Sequence, residues 1–296
     1  MFTKTSSFQT TQAGKLYLVP TPIGNLSDMT PRAIETLQKV DLIAAEDTRN
    51  TARLLAHFEV STPQISFHEH NTQMRIPKLL EKLQAGHSIA QVSDAGMPSI
   101  SDPGKELVAA CVQAQIPVIP LPGPNAALTA LIASGLAPQP FLFYGFLPPK
   151  PKDQVKQLEE LNYQKCTMIF YEAPHRIGRT LASMVQVFGA ERQVVLCREL
   201  TKKYEEFLRG SLGEVQEWAQ NETIRGEFVV LVEGNANPPQ IQDSGLDLTL
   251  PYANQVEAVI ATGISSKEAI KEVAKLNQVK KQVVYRAYHH LDEEED

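Results

Sequence analysis

Short apolar runs with the two-residue period of strands alternate along most of the chain with segments whose apolar positions recur every three or four residues. Residues 16–19, 40–45, 88–92, 118–121, 141–146, 167–171, 194–198 and 228–232 read as strands, with a further strand-like piece at 205–208. The helical segments open on capping chemistry. Thr30-Pro31 pairs an N-cap hydroxyl with a proline at the first helical position, and Asp102-Pro103 repeats that grammar. Other helices are expected over 48–58, from Pro174 and from Ser211. The pattern predicts an α/β protein with a mostly parallel sheet, and more antiparallel character in the second half, where connections shorten.

A boundary between two α/β halves falls either at 121–124 or at the Pro-rich Leu147-Pro148-Pro149-Lys150-Pro151. Residues 235–244, rich in Asn, Pro, Gln and Asp, read as a linker. Beyond them Ser265-Ser266-Lys267-Glu268 is a capping-box pattern opening a helix to Leu276, and 279–291 reads as a second helix. Between Ser265 and His290 six Lys/Arg face two Glu, so this helix pair is basic. Such a run is either a solvated face or an RNA-contacting one.

Composition narrows the classes. With 296 residues and 43% apolar content the chain can build a substantial core, which excludes a disordered or fibrous protein. Five of the six excess negative charges sit in the acidic run Asp292 to Asp296, so the folded body is near neutral and carries no general advertisement for nucleic acid. The widely spaced Cys111, Cys166 and Cys197 lie in or beside apolar runs and read as free thiols rather than metal ligands, which suits a reducing cytoplasm. No stretch is apolar enough for a membrane span, and the polar first 14 residues read as a loose tail.

The chain lacks GxGxxG after its first strand, and it has no Walker loop, HExxH or GxSxG, which disfavours dinucleotide, P-loop and serine-hydrolase chemistry. What remains are three Pro/Gly loops at strand ends: Pro20-Thr21-Pro22-Ile23-Gly24-Asn25-Leu26, residues 93–99, and residues 122–127. Proline fixes the path of such a loop and glycine admits close approach to the backbone, so it binds by main-chain groups and shape. Polar clusters follow the same strand ends: Glu46-Asp47-Thr48-Arg49; Glu172 with His175 and Arg176; residues 198–203; and Arg225-Gly226-Glu227. Ligands of open α/β sheets bind at that end of the strands.

In this order the loops resemble the tetrapyrrole-methylase superfamily of S-adenosylmethionine-dependent methyltransferases. Residues 19–41 are similar to its first glycine/proline loop and helix, Ser93-Asp94-Ala95 takes the place of its Gly-Asp-Pro loop, and Leu121-Pro122-Gly123-Pro124 that of its Pro-Gly loop. The match is closer to the branch of bacterial ribose 2′-O-methyltransferases that modify a decoding-region cytidine of 16S rRNA. It rests on Val-Pro-Thr-Pro-Ile-Gly-Asn-Leu at 19–26, Ala-Glu-Asp-Thr-Arg at 45–49, Val-Ser-Asp-Ala-Gly-Met-Pro at 92–98, Gly-Phe-Leu-Pro at 145–148, Ile-Phe-Tyr-Glu at 169–172 and Arg-Glu-Leu-Thr-Lys at 198–202. The Ser-Asp-Ala departure speaks against a porphyrinoid substrate.

The resemblance implies two α/β domains, 15–123 and 124–236, with the cofactor cleft between them. A linker over 237–250 and a basic helical appendage with an acidic tail over 251–296 then follow. It places S-adenosylmethionine against Asp94, Ala95, Gly96, Met97 and Pro98 and against Gly123, Asn125 and Ala126, with Pro22, Tyr144, Glu172 and Ala173 lining the same cleft. Asp47 or Glu199 is the expected proton acceptor, and Arg49 and Lys202 the groups that hold phosphate or stabilise developing alkoxide charge. Lys267, Lys271, Lys280, Lys281 and Arg286 are the expected RNA contacts, the partner being 16S rRNA in the 30S subunit, and the superfamily implies a homodimer. Two other readings compete. One is a small-molecule C-methyltransferase of tetrapyrrole precursors, against which the basic appendage speaks. The other is a non-catalytic ribosome-assembly protein, against which the intact loops speak.

Overall fold

The computed structural model describes residues 6–7, 12–238, 246–277 and 279–289. The chain divides into two compact units, Met1–Pro238 and Pro239–Asp296.

In the first unit β1 (Leu16–Leu18), β2 (Leu42–Ala45), β3 (Gln64–Ser66), β4 (Ile89–Val92) and β5 (Val118–Pro120) form one sheet in the order β3-β2-β4-β1-β5. All four pairings are parallel. Helices α1 (Pro31–Lys39) and α2 (Thr48–His57) cover one face, α3 (Thr72–Gln84) and α4 (Lys105–Gln113) the other. The strand period does the sorting: Val19, Ile43 and Ala45 point to the α1/α2 side, Leu16, Ala44 and Ile89 to the α3/α4 side. Burial on both faces is why these strands read as nearly unbroken apolar runs.

The cap at Thr30 forms, its hydroxyl accepting the Ala33 N–H at 3.1 Å with Pro31 opening α1. The matching expectation at Asp102-Pro103 fails. Helix α4 starts only at Lys105, after Gly104 at φ 135°, where a side chain would collide with Gln91. The Gln91 amide donates to the Pro103 carbonyl at 2.7 Å, which holds Asp102 and Pro103 in a loop. Pro174 likewise lies in a turn ahead of α7 (Ile177–Phe188) instead of opening it. The short edge strand β3 and the helix α3 were not expected from the sequence pattern.

The second sheet holds β6 (Phe141–Phe146), β7 (Thr167–Glu172), β8 (Gln193–Arg198), β9 (Glu206–Ser211) and β10 (Phe228–Val232), ordered β6-β7-β10-β8-β9. Only β6 and β7 pair in parallel, so this half has the expected antiparallel character. Helices α6 (Pro151–Leu161), α7 and α8 (Leu212–Asn221) pack on one face, and α5 (Ala126–Ser134) on the other. Ser211 and Glu214 close a reciprocal capping box at the start of α8.

Among its described residues the second unit has three helices, α9 (Tyr252–Ile260), α10 (Ser266–Leu276) and α11 (Lys281–Tyr288), where the sequence pattern predicts two. They share a core of Val256, Val259, Ile270, Val273 and Val284. The wholly buried Gln255 ties α9 to the end of α10 and to the segment ahead of α9. Its amide donates to the Leu250 carbonyl at 2.7 Å and its oxygen accepts from Asn277 at 2.6 Å. Residues 1–5 and 8–11 of the expected tail, residues 239–245 of the expected linker and the acidic run 292–296 fall outside the described residues. Among those residues no helix is long and apolar enough to cross a membrane.

Candidate active site

Strands β1 and β4 are neighbours, yet the chain leaves β1 toward α1 on one face of the sheet and β4 toward α4 on the other. Their carboxyl ends therefore diverge and open a crevice, the place where open parallel sheets hold ligands. Two backbone hydrogen bonds of 3.0 Å between Thr21 and Gly96 stitch the two loops together there. Against this crevice stand the ends of β7 and β8 and the start of β10, so both sheets wall a single cavity of about 330 Å³. That size lies at the lower end of ordinary small-ligand pockets.

Ala95, Gly96 and Met97 contribute one wall, and Asn125 and Ala126 a second at the start of α5. The Asn125 side chain caps α5 by accepting the Leu128 N–H at 2.9 Å, which leaves the positive end of that helix facing the cavity. Gly96 has φ 78°, and a side chain there would press on Ile23. The third wall carries Glu172, Ala173, Glu199, Leu200 and Lys202, with Phe228 and Val229 from β10.

Glu172 is almost fully buried, and its charge is satisfied by Arg176 Nε at 3.1 Å, the Ala173 N–H at 2.9 Å and the Thr180 hydroxyl at 2.6 Å. Lys202 Nζ bridges Glu199 at 2.8 Å and Glu227 at 2.9 Å. Partial burial works to raise the Glu199 carboxyl, but the Lys202 ammonium, the Glu227 N–H and Arg198 outweigh it and hold the group below its ordinary value. Lys202 is held above its ordinary value, its two carboxylates outweighing burial. Glu199 (φ 51°) and Thr201 (φ 65°) both adopt left-handed backbone, a local strain typical of functional positions.

Asp47 and Arg49 stand elsewhere. Asp47 caps α2 and meets Arg49 at 2.7 Å, while Asp94 accepts from the Asp47 N–H at 3.2 Å and from Asn50 at 2.9 Å. The hydrogen bond from Arg49 lowers the Asp47 carboxyl to about 2. Neither residue borders the cavity. Pro22 and Asp94 border a shallower groove with Asn50, Arg53 and His57, on the far side of the stitched loops. Pro98 and Gly123 are not on the cavity wall, and Gly123 instead packs against the Pro20 ring. The Tyr144 ring turns away into the α6/α7 core, 5.7 Å from the Phe170 ring. A bulge at this point of β6 shifts its register and brings Phe146 to the cavity. Lys267, Lys271, Lys280, Lys281 and Arg286 are all exposed on the three-helix unit.

Sequence reasoning passed over Ile100, Asp102, Phe146, Tyr171 and the β10 residues of the wall. Asp102 was legible only as a helix cap. In its loop, burial raises its carboxyl, the Ser93 hydroxyl pulls it down and the charge of Asp94 raises it again, leaving it above the ordinary value. The fit to S-adenosylmethionine is good: four carboxylates exceed the two cations, Lys202 and Arg176, that pair with them and so suit a cation, and the α5 terminus suits a carboxylate.

Residues 15–216 match the family profile of the tetrapyrrole (corrin/porphyrin) methylases. A protein of Bacillus subtilis named ribosomal RNA small subunit methyltransferase I is 53% identical, the alignment covering 93% of this chain and 94% of that one. Its namesake in Halalkalibacterium halodurans is 51% identical over 98% of this chain and 99% of its own. Among solved structures, the uroporphyrin-III C-methyltransferase of Thermus thermophilus, complexed with S-adenyl homocysteine, superimposes with TM-score 0.54 at 18% identity, covering 74% of this chain and 97% of that one. A cobalt-precorrin-4 methyltransferase gives TM-score 0.56 at 16% identity, covering 74% and 94%. At those identities the two structures speak for the fold.

Proposed function

The chain belongs to the tetrapyrrole methylase family, in its ribosomal RNA small subunit methyltransferase I group, and from that premise we propose methylation of an rRNA ribose. The methyl group comes from S-adenosylmethionine, and the acceptor is the 2′-hydroxyl of a cytidine in the decoding region of 16S rRNA. The setting is the assembled 30S subunit in the cytoplasm. The observation that carries this reading is a cavity at the β1/β4 crevice whose walls are backbone loops, with four carboxylates and one lysine, itself bridged by two of them, among the lining side chains.

When bound there, S-adenosylmethionine supplies a methyl group already made electrophilic by its sulfonium. The protein's task is alignment. Ala95 to Met97 and Asn125 with Ala126 would hold the cofactor by main-chain groups, while Ile100, Phe146 and Leu200 keep water from the reacting centre. Lys202, fixed between two carboxylates, places a positive charge where alkoxide character develops on the ribose oxygen. Arg49 and Arg53, on the exposed side of α2, suit RNA phosphates, as do Lys267, Lys271, Lys280, Lys281 and Arg286. The target nucleotide has to be splayed out, because a paired A-form strand buries its path to the cavity. Assembly as a homodimer is part of this reading, and the apolar outer face of α5, with Ile132 83% exposed, supports it.

The test is transfer of labelled methyl from S-adenosylmethionine to unmodified 30S subunits and to naked 16S rRNA, with the product nucleotide mapped. Label in the ribose of a decoding-region cytidine is expected. Cofactor binding without RNA labelling would overturn the reading.

A further inference from the structure

Four carboxylates stand on the cavity wall, Asp102, Glu172, Glu199 and Glu227, and their partners set one apart. Glu172 is neutralised by Arg176, and Glu199 and Glu227 share Lys202. No ion pair among the described residues includes Asp102. The ionisable groups around it are the carboxylates of Glu46 and Asp94 and the phenol of Tyr171, with the Ser93 hydroxyl beside them. Every other carboxylate on the wall would have to surrender a cation before accepting a proton, whereas Asp102 would relieve repulsion from its two acidic neighbours.

We propose that Asp102 is the general base of the reaction, an inference that rests on the ribose-methylation reading. Its carboxylate takes the 2′-hydroxyl proton as the ribose oxygen forms a bond to the methyl carbon. The carbon–sulfur bond breaks in the same step with its electron pair left on sulfur, and the proton passes from Asp102 to solvent. Glu199 and Lys202 then act as a fixed pair, with Lys202 facing the oxygen, and Asp47 has no part in proton transfer. Burial and the charge of Asp94 hold the Asp102 carboxyl above its ordinary value, which favours proton acceptance, whereas Lys202 holds Glu199 below its own.

Asp102→Asn keeps the side-chain shape and removes the base. Single-turnover methyl transfer to 30S subunits should fall by about 10²–10⁴, with S-adenosylmethionine affinity by calorimetry retained. The acid limb of the wild-type pH–rate profile should vanish. Ser93→Ala, which leaves the carboxylate but removes the hydroxyl that lowers it, should move that limb to higher pH. Carbon-detected NMR of the cofactor-free protein gives a readout independent of turnover: one aspartate carboxyl, absent from Asp102→Asn, should titrate above the ordinary aspartate value. An Asn variant with near wild-type turnover, an unmoved limb in Ser93→Ala, or an Asp102 carboxyl titrating normally would overturn the assignment. Loss of cofactor binding in Asp102→Asn would overturn it too, making Asp102 a binding group. Absence of ribose label with the wild-type protein would instead sink the ribose-methylation reading on which it rests.

Discussion

The Asp47–Arg49 pair and the Glu199–Lys202 pair are alike in chemistry, in position just past a strand end and in length, 2.7 and 2.8 Å. They differ in surroundings. Arg49 is 85% exposed, and its pair caps a helix at the surface, where water and salt screen it and such pairs contribute little. Lys202 is 30% exposed on the wall of a cavity, held by two carboxylates next to left-handed backbone, with Gly24 packed on its stem. A charge fixed in a partly dry cavity acts on what enters it, whereas a surface pair acts mainly on its own helix and on long-range attraction of RNA.

Replacing Lys202 by Ala tests that contrast most severely. Single-turnover methyl transfer should fall by about 10²–10³, while cofactor affinity stays near the wild-type value, and a loss below about threefold would equate the two pairs. Gly226→Ala comes next. Gly226 has φ 82°, and an added Cβ would lie 2.4 Å from the Glu199 side chain, so the Glu199–Lys202 pair must shift. Turnover should fall by roughly tenfold with little change in RNA affinity, as read by filter binding. Removing the chain after Pro238 attacks RNA association alone. Affinity should weaken and its salt dependence flatten, because cationic contacts to phosphate are lost, while cofactor binding by calorimetry is unchanged.

Asp47→Ala should have the smallest effect on turnover, within about threefold, as expected of a substitution at the exposed end of a helix. Its trace is in stability against pH. The folded carboxyl is lowered to about 2 from an unfolded value near 3.9, so its contribution is fully present above pH 4 and fades as pH falls through about 2. The Tm difference between wild type and variant should shrink across that window.

How far each pair could be read from the sequence follows from the same contrast. Strand ends, their Pro/Gly loops and the parallel first sheet were legible, because a two-residue period and a capping threonine are local signals. The partners of those loops were not. Strand β10 enters the middle of the second sheet, between β7 and β8, and delivers Phe228 and Val229 to the cavity, a placement that no local pattern encodes. Tyr144 follows Leu142 onto the α6/α7 face as alternation dictates, and the bulge in β6 turns Phe146 to the cavity in its place. Asp102-Pro103 reads as a cap, but the Gln91 amide on β4, twelve residues before Pro103, pins the loop that carries it. For β10 and for Asp102 a contact outside the local segment decided what the local pattern could not.

The most direct test of the account is the structure of the protein with S-adenosylmethionine or its demethylated product bound. The ligand is expected in the cavity between Gly96 and Glu199, with its sulfur on the side of Lys202 and Asp102. A ligand seated in the groove of Pro22, Asn50 and Arg53 would contradict that expectation.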